Sequence, residues 1–221
     1  CIHFAGNIEP RYIMDGNGRW AESRGLPRSA GYAEGLKAML RVLARTEERG
    51  VAAASVYAFS SENFARPSEE ISAVLHTVAS WNSSYAGGWK VTYMGERDLF
   101  PDNVVKSIRE VEERTRDNTG LRLNIALGYG GRRDILLAAQ KAAKKGILTQ
   151  SSLENELSSA GLPPLDAVVR SGGEKRLSGF MLYEAAYAEL LFTDKLWPDM
   201  TAEDVDALLA EFASRTRKVG A

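Results

Sequence analysis

The residues of this 221-residue chain that are best suited to chemistry lie in three short polar runs, each placed where an apolar run ends. The first is Asp15-Gly-Asn-Gly-Arg19, with Arg28 following nine residues later. Gly16 and Gly18 allow a backbone to approach an anion closely, N–H groups at a following helix start can point at it, and Arg19 and Arg28 can neutralise it. One carboxylate, Asp15, among so many cations has the character of a magnesium anchor, because Mg²⁺ is held by one or two carboxylates together with substrate phosphates. The alternative for this stretch is a plain strand-to-helix turn capped by Asp15. The second run, Phe59-Ser-Ser-Glu-Asn63, precedes Arg66; the third holds Arg170, the Gly172-Gly173 pair, Arg176 and Ser178. So many guanidiniums beside few acids would suit a ligand with two multiply charged phosphate groups, although each arginine taken alone could equally serve a surface ion pair.

Other chemistries are disfavoured. A serine or cysteine nucleophile needs a neighbouring base, and of the two histidines His3 is near the start while His76 falls on a helix pattern with no nucleophile nearby. There is no Cys/His cluster with metal-ligand spacing, and no Gly-Lys-Ser/Thr run of the kind that cradles nucleotide phosphates.

The elements that must position these runs follow from periodicity. Tyr12–Met14 and Ala53–Ala58 read as strands buried on both faces, joined by a helix over Ala30–Glu48 with apolar Leu36, Met39, Leu40 and Leu43. Residues Cys1–Arg11 show no clear period and read as a leading segment. A third helix starts at Ser68, with Glu69 and Glu70 in its first turn, and the pattern breaks at Trp81, where Asn82-Ser-Ser-Tyr-Ala-Gly-Gly88 has the composition of a loop. Strands follow at Trp89–Met94, Leu121–Ala126, Ala167–Val169 and Glu189–Phe192, with helices at Asp102–Asp117, Arg133–Lys144, Leu153–Ala160 and Ala202–Arg217. Strands alternating with helices predict an α/β fold in one domain spanning 1–221, a mostly parallel central sheet with helices on both faces. Ligands in such sheets bind beyond the carboxyl ends of the strands, where Asp15, Ser60, Asn63 and Arg170 all fall.

Composition narrows the class. Twenty-eight Lys and Arg against 29 Asp and Glu leave a net charge of −1, which gives no global case for nucleic acid or an anionic membrane. The single cysteine, Cys1, cannot form an internal disulfide, which suits the cytoplasm, and no apolar run approaches a membrane-spanning length.

The run Met14-Asp-Gly-Asn-Gly-Arg-Trp20 resembles the signature of the cis-prenyltransferases, the undecaprenyl diphosphate synthase family. Tyr57–Pro67 (YAFSSENFARP), Asn124–Ile135 (NIALGYGGRRDI) and Val168–Met200 resemble the other blocks of that family in the same order. The resemblance implies an enzyme with Mg²⁺ as cofactor. The positions matching Gly16, Asn17, Gly18, Arg19 and Arg28 would cradle an allylic diphosphate, and those matching Arg170, Arg176 and Ser178 a second, nucleophilic prenyl diphosphate, with Ser60 nearby; Arg66, from the residues alone, joins the convergent cations that would bind substrate. By the same likeness Asp15 and Asn63 would be catalytic, Asp15 and Glu189 would serve the metal, Trp20, Phe59 and Phe64 would border the prenyl chain, and the protein would be a homodimer through the Glu189 region.

The chain departs from the family pattern at Tyr32, where a histidine is common, and at Phe64, Lys175, Gly179 and Lys218. A third helix cut short near Trp81 and Tyr85 would close the tunnel for the growing chain early. The expectation is therefore a short product of about C10–C20, with a branched head-to-middle diphosphate of lavandulyl type as one form of it, ranked above a long head-to-tail polyprenyl chain or a non-catalytic partner subunit.

Overall fold

A computed structural model describes residues 8–215; Cys1, His3, Arg217 and Lys218 lie outside that range. The strands are β1 (Pro10–Ile13), β2 (Ala53–Ser60), β3 (Lys90–Met94), β4 (Arg122–Tyr129), β5 (Ala167–Arg170) and β6 (Glu189–Phe192). The helices are α1 (Asn17–Glu22), α2 (Ala30–Glu48), α3 (Ser68–Ser84), α4 (Asp102–Thr115), α5 (Gly131–Lys145), α6 (Gln150–Glu154) and α7 (Ala202–Ser214). All six strands run parallel in the order β3-β4-β2-β1-β5-β6, so the sheet is wholly parallel rather than mostly so.

Parallel strands covered on both faces must be apolar on both, and successive residues enter different cores. Tyr12, Val56, Ile125 and Val169 pack into the cluster that includes Met39 and Leu43 of α2 and Leu208 and Phe212 of α7. Ile13, Tyr57, Ala126 and Val168 pack into a second cluster with Leu165, Phe180 and Met181. A third cluster joins Phe59 and Leu127 to Val74 of α3 and Ile108 of α4.

The chain winds outward from β1 through β2 in one direction and through β5 and β6 in the other. The strand order therefore reverses between β1 and β5, and the crevice beyond their carboxyl ends is where such sheets bind ligands. In register Ile13 lies beside Tyr57 on one side and Arg170 on the other, which brings the ends of three motif-bearing strands to one level.

Several expectations need correction. The leading segment is not free of structure from residue 8 onward: Ile8 and Glu9 are buried, Glu9 N donates to Asp166 at 3.0 Å, and β1 starts at Pro10. The helix α3 does not break at Trp81 but runs one turn further to Ser84. Its polar residues are satisfied within the fold, since Tyr93 Oη donates to Asn82 Oδ1 at 2.7 Å, Asn82 Nδ2 donates to Ser107 Oγ at 3.2 Å, and the Ser83 and Ser84 hydroxyls donate back to Ala79 and Ser80 carbonyls. The helix expected over Leu153–Ala160 is instead Gln150–Glu154, because Ser158 N and Oγ bond the buried Asp134 carboxylate at 3.1 and 2.6 Å and turn the chain away.

Helix α1 reaches its place only because α2 offers glycines where the two meet. A Cβ on Gly31 would stand 2.0 Å from the Asn17 carbonyl oxygen, and one on Gly35 would stand 2.3 Å from Asn17 Oδ1. Both obstacles belong to Asn17, the first residue of α1 and two residues after Asp15. Gly31→Ala should therefore lower stability by about 1–3 kcal/mol, the usual cost of overpacking, as read from the urea unfolding midpoint.

Candidate functional site

At the carboxyl ends of β1, β2 and β5 the fold leaves a cavity of about 300 Å³. Asp15, Gly16, Asn17, Gly18, Arg19, Arg28, Tyr32, Phe59, Ser60, Asn63, Arg66, Arg170, Arg176 and Ser178 all line it, so fourteen of the expected site residues converge on one mouth. Asp15 is the one carboxylate among the described lining residues, against five guanidiniums.

Asp15 is held from several directions. Its peptide N–H donates to Ser171 Oγ at 3.1 Å, while the Ser171 hydroxyl donates to the Asp15 carbonyl at 2.8 Å and Trp197 N donates to the same oxygen at 2.9 Å. Gly16 follows with φ of 103°, a left-handed turn that also brings its α-carbon against Leu196, so no other residue fits there without strain. The carboxylate then accepts from Gly16 N at 2.6 Å through Oδ1 and from Arg170 Nη2 at 2.9 Å through Oδ2, with Arg19 at 3.4 Å. Burial disfavours the charged form of Asp15, but the hydrogen bond and charge of Arg170, with help from Arg19 and Gly16 N–H, outweigh it and hold the carboxyl below the ordinary aspartate range.

Arg170 is the central cation. Only 4 % exposed, it reaches Asp15 with one nitrogen, and with the other it donates to Ser178 Oγ at 2.8 Å and to the Arg176 carbonyl. Its Nε is buried with no protein partner. Ser178 itself adopts φ of 49°, an uncommon conformation for a residue with a side chain.

The rim toward α3 is built on Glu70. Its carboxylate accepts from Arg66 Nη1 at 2.7 Å, from Arg28 Nε at 3.2 Å and from the Tyr32 hydroxyl. Burial, and then the bond to Glu70, push the Tyr32 phenol up to about 12, so it stays a donor at neutral pH. Glu70 is a partner of the site that the sequence reading did not include; its signal is an acidic residue in the first turn of α3, directly after the Arg66-Pro67 pair. On the β2 side, Ser60 and Asn63 form a reciprocal cap in which Ser60 N donates to Asn63 Oδ1 at 3.0 Å. Register shifts between Tyr57 and Ser60 allow the consecutive residues Tyr57, Ala58, Phe59 and Ser60 all to face the cavity, which a flat strand would not permit.

Three expected site residues stand outside the cavity lining. Trp20 turns away, its indole donating to Asp199 at 2.7 Å with Arg24 stacked 4.2 Å from the ring centre. Phe64 packs edge-on against Phe59 at 5.0 Å and is part of the core below α3. Glu189 pairs in register with Ala167, three residues or about 10 Å along the sheet from the level of Arg170, and its carboxylate accepts from Arg215 at 2.9 Å. Within one chain Glu189 and Asp15 therefore lie toward opposite ends of the sheet. Among the described residues no group of three or more His, Cys, Asp or Glu side chains is placed to hold a metal.

A second, apolar cavity of about 70 Å³ adjoins the first. Met14, Asn17, Tyr32 and Ala58 border both, and the inner one continues past Leu36 and Met39 of α2 and Val74 and Val78 of α3 to Trp81, Tyr93 and Trp197. A cationic mouth opening on an apolar interior fits an amphiphile with an anionic head and a hydrocarbon tail.

Comparison with known proteins assigns the chain to a family. Residues 13–220 match the family model of undecaprenyl diphosphate synthase, Prenyltransf, which covers nearly the whole chain. The chain belongs to this family. It is a prenyltransferase. It is 41 % identical over 221 residues to the ditrans,polycis-undecaprenyl-diphosphate synthase ((2E,6E)-farnesyl-diphosphate specific) of Shewanella oneidensis, covering 94 % of this chain and 80 % of that protein. An isoprenyl transferase of Neisseria gonorrhoeae is 40 % identical, with 96 % and 89 % covered. In three dimensions it superimposes on lavandulyl diphosphate synthase from Lavandula x intermedia, solved with dimethylallyl diphosphate, with a TM-score of 0.90 at 28 % identity, covering 95 % of this chain and 96 % of that one. Among the described residues no helix is long and apolar enough to cross a membrane.

The depressed ionisation of Asp15 has a measurable consequence. A carboxyl whose folded value lies below its unfolded one, near 3.8, binds its proton more weakly in the native state. It contributes stability that is present above about pH 4 and is lost as pH falls through the folded value. The difference in unfolding free energy between wild type and Asp15→Asn should therefore be constant from pH 7 to 5 and shift against the wild type below pH 4, as read by urea unfolding at a series of pH values.

Proposed function

We propose that this prenyltransferase is a head-to-tail cis-polyprenyl diphosphate synthase, extending an allylic diphosphate by successive additions of a C5 prenyl diphosphate. The observation that carries this reading is the join between the two cavities: five arginines and Asp15 at the mouth, and an apolar chamber entered past Tyr32. Identity near 40 % over most of the length of undecaprenyl and isoprenyl transferases supports it.

In this reading Asn17, Arg19 and Arg28, with the backbone of Gly16 and Gly18, hold the allylic diphosphate so that its hydrocarbon points into the apolar chamber. Arg170, Arg176, Ser178, Ser60 and Arg66 hold the diphosphate of the second substrate beside it. Placing the two reactants in one cleft removes much of the entropic cost of a bimolecular step. Arginines around the departing diphosphate stabilise the charge that develops as the allylic carbon–oxygen bond breaks. The electrons of the second substrate's double bond then form the new carbon–carbon bond, and proton loss restores a double bond.

Asp15 fits an Mg²⁺ held jointly with substrate. Each of its oxygens has two acceptor positions, and the contacts with Gly16, Arg19 and Arg170 leave capacity free, while the lack of a carboxylate cluster among the described residues matches an ion bound mainly by phosphate and water. When bound there, Mg²⁺ would neutralise the leaving diphosphate. Glu189 cannot join Asp15 within a single chain; a homodimer is the arrangement in which the two could meet, and we include it in the proposal on that ground.

One observation favours a second reading. Trp81, buried and tilted against Tyr85 with ring centres 4.9 Å apart, closes the far end of the chamber, which favours a short or branched product. A polyprenyl product requires α2 and α3 to separate as the chain grows. Incubation with Mg²⁺ and labelled C5, C10 and C15 diphosphates, followed by dephosphorylation and product analysis, distinguishes the two. We expect a C15 primer to be lengthened by several C5 units; exclusive formation of a branched C10 product from two C5 units would replace this reading with the second. Asp15→Ala should lower turnover by at least about a hundredfold with the far-ultraviolet circular dichroism spectrum unchanged.

A further inference from the structure

Tyr57 lines the cleft but has no part in the scheme above. It lies on β2 beside Ile13 in register and is 8 % exposed. Its ring stacks on Phe180 with centres 4.6 Å apart and planes 15° from parallel, and it meets Tyr129 edge-on at 6.1 Å. Its hydroxyl donates to the Tyr129 carbonyl at 3.0 Å and lies 3.5 Å from the carbonyl of Ser178. Burial above all pushes the phenol's ionisation up, so near neutral pH it is a neutral donor.

The turn that Tyr57 touches is the strained one. Ser178 and Met181 both have positive φ, and such conformations persist only where the surroundings over-determine them. The restraints are visible. Arg170 holds the Ser178 hydroxyl and the Arg176 carbonyl, Gly131 N donates to the Gly179 carbonyl at 2.7 Å, and Phe180 N closes the turn on Leu177 at 3.0 Å. Tyr57 adds the base of the turn through the Phe180 stack, and its hydroxyl, anchored on the Tyr129 carbonyl, fixes the ring in that stack with the Ser178 carbonyl 3.5 Å away. Its contacts reach the Arg176–Ser178 half of the cleft, and none of those recorded reaches Asp15, Arg19 or Arg28.

We propose that Tyr57 is a positioning residue for the nucleophilic prenyl diphosphate, holding the left-handed Ser178 turn in the shape that presents Ser178 and Arg176 to it. This rests on the reading that Arg170, Arg176 and Ser178 form the second diphosphate half-site.

The test is steady-state kinetics of the full chain with each prenyl diphosphate varied in turn, for wild type, Tyr57→Phe and Arg176→Ala. Tyr57→Phe keeps the stack and removes one hydroxyl. The expected result is a KM for the nucleophilic C5 diphosphate raised about fivefold, the size of one hydrogen bond, with kcat and the KM for the allylic primer within about twofold of wild type. Arg176→Ala should raise the same KM. If Tyr57→Phe shifts both KM values together, or lowers only the melting temperature, while Arg176→Ala remains selective, Tyr57 is a packing residue and the inference is overturned. If Arg176→Ala leaves that KM unchanged, the half-site reading fails and the inference falls with it.

Discussion

The ion pair between Asp15 and Arg170 is the constraint on which the rest of the site depends. It spans the reversal of strand order, joining the loop after β1 to the end of β5 across 155 residues of sequence. A buried guanidinium is costly unless its charge and its N–H groups are satisfied, and here one carboxylate, one hydroxyl and one carbonyl share the task. The same arrangement keeps Asp15 ionised despite its partial burial. A single arginine thus keeps the Asp15 carboxylate charged and at the same time holds the Ser178 turn.

The backbone around this pair leaves little freedom. Ser171, fully buried, both accepts from and donates to the peptide of Asp15, while Gly172 lies so near that a Cβ would stand 3.2 Å from the Asp15 carbonyl. On the other side Gly31 and Gly35 let α2 press against Asn17. The Asp15–Asn17 stretch is therefore clamped between β5 and α2, and the rim is completed by Glu70 bringing Arg28, Arg66 and Tyr32 together. Preorganisation of this kind places the reorganisation cost in folding rather than in the reaction.

A polar mouth and an apolar chamber share Met14, Asn17, Tyr32 and Ala58 as their border. That junction separates a strongly charged surface from an apolar one. Trp81 lies at the chamber's end because α3 continues through it, held by Asn82 bonded to Ser107 and Tyr93. The length of a helix thus sets where the chamber ends, by way of one buried amide.

Much of this was legible in the sequence. Apolar runs ending in Gly, Asp, Ser and Arg identified the strands and the loops beyond them, because backbone burial and anion binding make local demands on residue type. The motif Asp15–Arg19 and the segment Arg170–Ser178 could be assigned to one mouth because parallel strands carry their loops to the same edge. What the tertiary structure alone decided depends on partners remote in the chain. The polar run after Trp81 reads as a loop until Ser107 and Tyr93 satisfy Asn82, and Ser158 leaves its helix only because Asp134 is there to receive it. Glu189 carries the residue type of a metal ligand, yet strand register sets it at the far end of the sheet from Asp15. Residue type reports what a side chain is able to do; its neighbours in space determine whether it does so, and those are fixed by hydrogen bonds and packing between segments that no local pattern records.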